Sequence, residues 1–104
     1  MDEYRIIISD LAKQDIVNTS VYIANEFQEP AVAAKITGAM LDAIFTLENM
    51  PDRIGLVKSE RLAEKGIRPL HIKNHTVFFR IDESTKIVDI IRVLYSRRDW
   101  ASLL

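Results

Sequence analysis

The sequence of 104 residues contains no cysteine. That excludes a disulfide framework and any thiolate metal site, and it suits a reducing compartment. Histidine is almost as scarce, with only His71 and His75, so no metal centre is expected. Three glycines and three prolines are too few for a flexible linker, and the chain shows no repeat or low-complexity segment. No apolar run approaches the ~20 residues that span a bilayer. The chain opens Met-Asp-Glu-Tyr, acidic where a secretory leader would be basic. These shortages predict a cytoplasmic protein with no membrane partner; no small-molecule ligand is expected.

What is present fits one globular domain over residues 1–104, since 48% apolar and 28% charged residues supply a modest core and an ordinary surface. The net charge of −1 hides an asymmetry. Residues 1–52 carry three Lys and Arg against nine Asp and Glu, whereas residues 53–104 carry eleven against six. Such a split points to an anionic partner, either nucleic acid or an acidic protein segment.

The stretch Lys86-Ile-Val-Asp-Ile-Ile-Arg-Val-Leu-Tyr95 is a β-branched apolar run without Gly or Pro, which predicts a central strand buried on both faces. Tyr95, Arg97 and Arg98 follow at its exit, where a rigid base can hold side chains toward solvent. Upstream, Tyr4 to Ile8 alternates as a short strand. Ser9 and Asp10 offer an N-cap, with Asp15 in the following turns. Ile16, Ser20, Ile23, Ala24 and Phe27 form a narrow helical stripe. Pro30 suits the first turn of a second helix, whose stripe runs Ala33, Ile36, Thr37, Met40, Ala43, Ile44, Leu47 and Met50 and which Pro51 stops. Gly38 is expected either to weaken this helix by up to ~1 kcal/mol, if exposed, or to let the two helices of this hairpin approach closely. Residues 51–65 make a long connection of the kind that is mobile or functional, with a helical turn at 60–65. Ile67 to Ile72 is a strand that Pro69 confines to an edge. Lys73-Asn74 is a turn, Thr76 to Ile81 a strand, and Asp82 to Thr85 another turn. The order predicts an α+β domain: an N-terminal strand, an antiparallel helical hairpin, then a three-stranded antiparallel meander completing one sheet. The helices cover one face and leave the other partly open.

Four segments in this order resemble the RelE/ParE toxin superfamily: Leu47-Glu-Asn-Met-Pro-Asp-Arg53, Gly66-Ile-Arg-Pro-Leu70, His75-Thr-Val-Phe-Phe-Arg-Ile-Asp82 and Arg92-Val-Leu-Tyr-Ser-Arg-Arg-Asp-Trp100. The resemblance covers nearly the whole chain and rests on the ordered set, since each segment is short. It implies a small toxin neutralised by a cognate antitoxin, needing no cofactor. Two activities occur in the superfamily. RelE-like members cut mRNA in the ribosome, and ParE-like members bind DNA gyrase.

Cutting RNA through its 2′-hydroxyl requires a proton acceptor, cations against the phosphate and an acid for the leaving oxygen. By resemblance these are Arg68, Tyr95 and Arg98, with Arg80, Arg97, His75 and Trp100 as residues for RNA or a partner. The chain departs from the cleaving members in three places. Thr76 stands where many carry arginine, Arg68-Pro-Leu replaces a Lys-Xaa-Lys or Glu–Arg pair, and Tyr95 replaces a histidine. The departures favour gyrase binding, or a member that only binds antitoxin, over ribosome-dependent cleavage.

Overall fold

The computed structural model describes residues 3–104 apart from the Ala101 side chain; Met1 and Asp2, part of the acidic start noted above, lie outside it. Strand β1 (Arg5–Ile8) leads into helix α1 (Asp10–Phe27) and helix α2 (Pro30–Phe45). A short helix α3 (Glu60–Ala63) precedes β2 (Arg68–Ile72), β3 (His75–Asp82) and β4 (Ile87–Tyr95). The sheet order is β1-β4-β3-β2, with β1 parallel to β4 and the other neighbours antiparallel. The predicted α+β plan holds, and Pro69 does sit on an edge strand.

Local chemistry fixes the joints. Ser9 caps α1, its Oγ accepting from the Ala12 N–H at 3.0 Å and donating to the Ile91 carbonyl at 2.9 Å, so one hydroxyl ties the helix start to β4. Gln28, in the left-handed region at φ 52°, ends α1, and Pro30 opens α2. Past α2 the Arg53 guanidinium donates to the carbonyls of Asn49 and Met50 at 2.8 and 3.0 Å and to Thr46 Oγ1 at 3.1 Å. It thereby ties the loop at 49–53 back to Thr46 just past the helix.

Two apolar clusters sandwich the sheet. The larger joins Ala12, Ile16, Met40, Ile44 and Leu47 to Tyr4, Val77, Phe79, Val88, Ile90 and Val93. The second gathers Val57, Leu62, Ile67, Phe78 and Leu94, with Trp100, Leu103 and Leu104 against them. This corrects the expected open face. The 51–66 connection and the C-terminal tail pack over β3 and the end of β4, because Phe78 and Leu94 point there and need cover. The connection is bound in place by the Val57 N–H to Ile67 carbonyl bond of 3.0 Å.

Three smaller expectations also fail. Phe27 and Met50 lie outside the stripes assigned to them, 59% and 68% exposed, because each sits where its helix has already ended or is ending. A Cβ built on Gly38 meets no atom within 4 Å, so this glycine is not a close-contact point between helices. Residues 30–48 are long and apolar enough by composition to cross a membrane; here Ala33, Met40 and Ile44 of this stretch are buried within the chain.

Candidate functional site

The strand ends that carry the candidate residues are set by one irregularity. Phe78 pairs with Arg92 but Phe79 with Ile90, so Ile91 is an extra residue in β4, a β-bulge. Before the bulge Val88 and Ile90 face the helices; after it Val93 does, while Leu94 joins the opposite cluster. An uninterrupted strand would alternate 88, 90, 92, 94 inward and turn Tyr95 to the other face. Asp15 on α1 holds the bulge. Its carboxylate accepts from Arg92 Nε at 2.7 Å and Nη2 at 2.9 Å, and from the Val93 N–H at 3.0 Å. Arg92 is held protonated above its ordinary range by the bond to Asp15.

As a result Tyr95 and its cross-strand neighbour His75 face the helix side. Their rings meet edge to face, centroids 5.7 Å apart at 65°. They line a cleft of about 600 Å³ whose other wall is the second half of α1, with Thr19, Tyr22, Ile23 and Phe27, and whose mouth carries Lys73 and Arg98. Burial pushes the His75 imidazole below its ordinary pKa of 6.5. The cleft is therefore an apolar and aromatic slot with the His75 imidazole in its wall and both signs of charge in its lining, Lys73 and Arg98 together with Glu26. Such a slot suits recognition of an apolar or aromatic group.

The other candidates lie elsewhere. Arg68 pairs with Phe79, four residues along β3 from His75, so it stands about 13 Å down the strand from the Tyr95 level. Its guanidinium donates to the Ile54 carbonyl and pins the 51–66 connection. Arg80 is exposed, its methylenes 3.4 to 3.5 Å from where a Cβ on Gly66 would sit. Arg97 is exposed beside Arg98, and neither makes an ion pair among the described residues. Trp100 stacks obliquely on Phe78, centroids 5.1 Å apart, and anchors the tail. The structure thus brings together Tyr95, His75 and Arg98, and leaves Arg68, Arg80 and Trp100 away from them.

Thr76, singled out as a departure, is 3% exposed. Its Oγ1 lies 3.1 Å from His71 Nδ1 and 2.8 Å from Ser96 Oγ. The three groups form a hydrogen-bonded chain in the wall of a smaller hollow of about 300 Å³ beside Lys58 and Trp100. Among the described residues no cluster of three or more acids and histidines could hold a metal. Asp15 is the residue that sequence reasoning missed. The available signal was a carboxylate in phase with Ala12, Ile16 and Ile23 on the buried side of α1, where an acid stays only if it is paired.

No curated protein matches the sequence. Among solved structures, the chromosomal ParDE toxin–antitoxin system of P. aeruginosa is similar at a TM-score of 0.75 and 16% identity, covering 91% of this chain and 98% of that one. The RelBE2 toxin–antitoxin complex of Mycobacterium tuberculosis is similar at 0.64 and 21%, covering 89% and 98%. At these identities the two share the fold. The model of the ParE toxin of type II toxin–antitoxin systems matches residues 6–100, and on that match the chain belongs to the ParE toxin family within the RelE/ParE superfamily.

Proposed function

We propose that this toxin acts in the cytoplasm by binding its target, DNA gyrase, rather than by cutting RNA, and that a cognate antitoxin protein holds it inactive. The observation that carries the reading is the hydrogen-bonded chain at Thr76. The position that holds a phosphate-binding arginine in cleaving relatives is buried here, and its hydroxyl is already engaged by His71 and Ser96. A guanidinium could not enter without displacing both. The remaining cations do not compensate, because Arg68 is tied to Ile54 and stands apart from Tyr95 and Arg98. Catalysis of phosphoryl transfer depends on donors converging on one developing charge, whereas recognition needs only a complementary surface. The match to the ParE family model and the ParDE neighbour support the same side.

The purified chain is expected to inhibit gyrase supercoiling while leaving mRNA ends unchanged in a cell-free translation reaction. New mRNA ends at ribosome-site codons that vanish in Tyr95→Phe or Arg98→Ala would replace this reading with ribosome-dependent cleavage. Neither effect, with antitoxin still bound, would mark a chain that only binds antitoxin.

A further inference from the structure

Two poles of opposite sign face each other across the cleft. Ala12 and Ile16 of α1 belong to the sheet-side core, but beyond them the inner side of the helix lines the cleft with Tyr22, Ile23, Glu26 and Phe27. Asp15, the other acid of this wall, is taken up by Arg92. Glu26 is exposed and makes no ion pair among the described residues. It sits in the last turn of α1, which holds no basic residue, although the carbonyl end of a helix carries partial negative charge and favours a cation. Carboxylate and helix end thus add to one negative pole. The strand-end wall has the reverse sign. Lys73 in the β2–β3 turn and Arg98 past β4 are exposed, line the same cleft and make no ion pair among the described residues. Asp99 follows Arg98 in the chain but is not part of the lining. Between the poles lie aromatic rings, with Tyr22, Phe27 and Tyr95 65%, 59% and 42% exposed, a surface that water covers at a cost.

We infer that the cleft receives a protein segment in which one aromatic or bulky aliphatic side chain stands between a basic residue, which meets Glu26 and the end of α1, and an acidic residue, which meets Lys73 and Arg98. The inference rests on the reading above, under which the segment belongs to gyrase. Charge complementarity selects this occupant. A uniformly acidic segment sets a carboxylate against Glu26, and a uniformly basic one sets a cation against Lys73 and Arg98. Like charges brought together at an interface are what turns wrong partners away. A nucleic acid carries phosphates past both walls and meets the same repulsion at Glu26. A wholly apolar segment fills the slot but leaves all three charges without counter-charges. The two poles also fix direction, since the segment can lie only one way across the mouth.

Short peptides blocked at both ends test the charge pattern without gyrase, titrated into the isotope-labelled full-length chain and followed by NMR shifts. Lys-Gly-Trp-Gly-Asp is expected to shift Tyr22 and Tyr95. At low salt it should bind about tenfold more tightly than Gln-Gly-Trp-Gly-Asn, the two converging at about 1 M salt. In Glu26→Gln the lysine of the peptide no longer counts while its aspartate still does, and in Lys73→Gln with Arg98→Gln the reverse holds. All three side chains are exposed, so these variants fold as the wild type does. The inference is overturned if the neutral peptide binds as tightly as the charged one, if Asp-Gly-Trp-Gly-Asp binds more tightly than either, or if alanine replaces the tryptophan without loss. In the supercoiling assay Glu26→Gln is expected to raise the inhibitory concentration at least about threefold. If Glu26→Gln inhibits as the wild type does but holds antitoxin less tightly, the segment is the antitoxin's and its assignment to gyrase is overturned. A wild-type chain that binds the peptides as stated yet leaves supercoiling untouched overturns gyrase as the target and upholds the charge pattern of the cleft.

Discussion

Asp15 bonds to Arg92 and Val93, 77 and 78 residues further along the chain, and the geometry of the cleft passes through it. Replacing it with alanine leaves the Arg92 guanidinium and the Val93 N–H largely buried without an acceptor. The expected cost is about 3–5 kcal/mol, read from urea unfolding, with Asp15→Asn losing less because an amide oxygen still serves Val93. His75 gives a pH dependence of definite sign. Its folded-state pKa is depressed by burial, so the unfolded chain takes up a proton first as pH falls. Its contribution is constant above about pH 6.5 and is lost progressively as pH drops toward the lower folded value. Unfolding midpoints between pH 7.5 and pH 5 should fall less steeply for His75→Gln than for the wild type; equal slopes would rule this out. At this scale sequence alone read what neighbours in the chain decide. Ser9 as a cap and Pro30 at a helix start follow from residues within four positions. The partner of Asp15 depends on where β4 bulges, and no local pattern encodes that.

The elements were readable where period and punctuation agreed. Four strands and two long helices came from alternation, stripes and prolines. The turn at 60–65 was readable too, as α3, but the second layer it belongs to was not, because its apolar residues, Val57, Leu62 and Trp100, are spread over more than forty positions without a period. Only the sheet brings them together. Trp100→Ala should therefore unfasten the tail from Phe78 and lower stability by roughly 2 kcal/mol, since the ring is only partly buried; a thermal midpoint unchanged within error would show that the tail adds nothing to the fold. Gly38 gives the opposite sign. With open space at its Cβ and a helical backbone around it, Gly38→Ala should stabilise the chain by about 0.5–1 kcal/mol in the same measurement.

For the whole molecule, the charge split foreseen from the two halves becomes a separation in space. The acidic half supplies β1 and the helical layer, and the basic half supplies most of the sheet and the tail, with Arg97 and Arg98 exposed where β4 ends. The candidate site was legible as a corner at Tyr95, but the sequence could not say that Arg68 stands a strand's length away, because pairing register is not local. If the corner serves recognition of gyrase, Arg97→Glu with Arg98→Glu should raise the concentration needed to inhibit supercoiling at least about tenfold. Stability should change by less than about 0.5 kcal/mol, as both side chains are exposed. Equal inhibition by the double variant would place the contact elsewhere.

The parallel pairing of β1 with β4 has a consequence for synthesis. The first strand made waits for the last, because Arg5 pairs with Ile87 and Ile8 with Ile90. Tyr4 likewise reaches Glu83 with a hydroxyl bond of 2.8 Å. Contacts this distant in sequence close slowly, and they cannot close before residues 87–90 have been made. The sheet, and with it the cleft between α1 and the end of β4, is complete only once β4 has joined β1. Until β4 is in place the cleft has only its α1 wall.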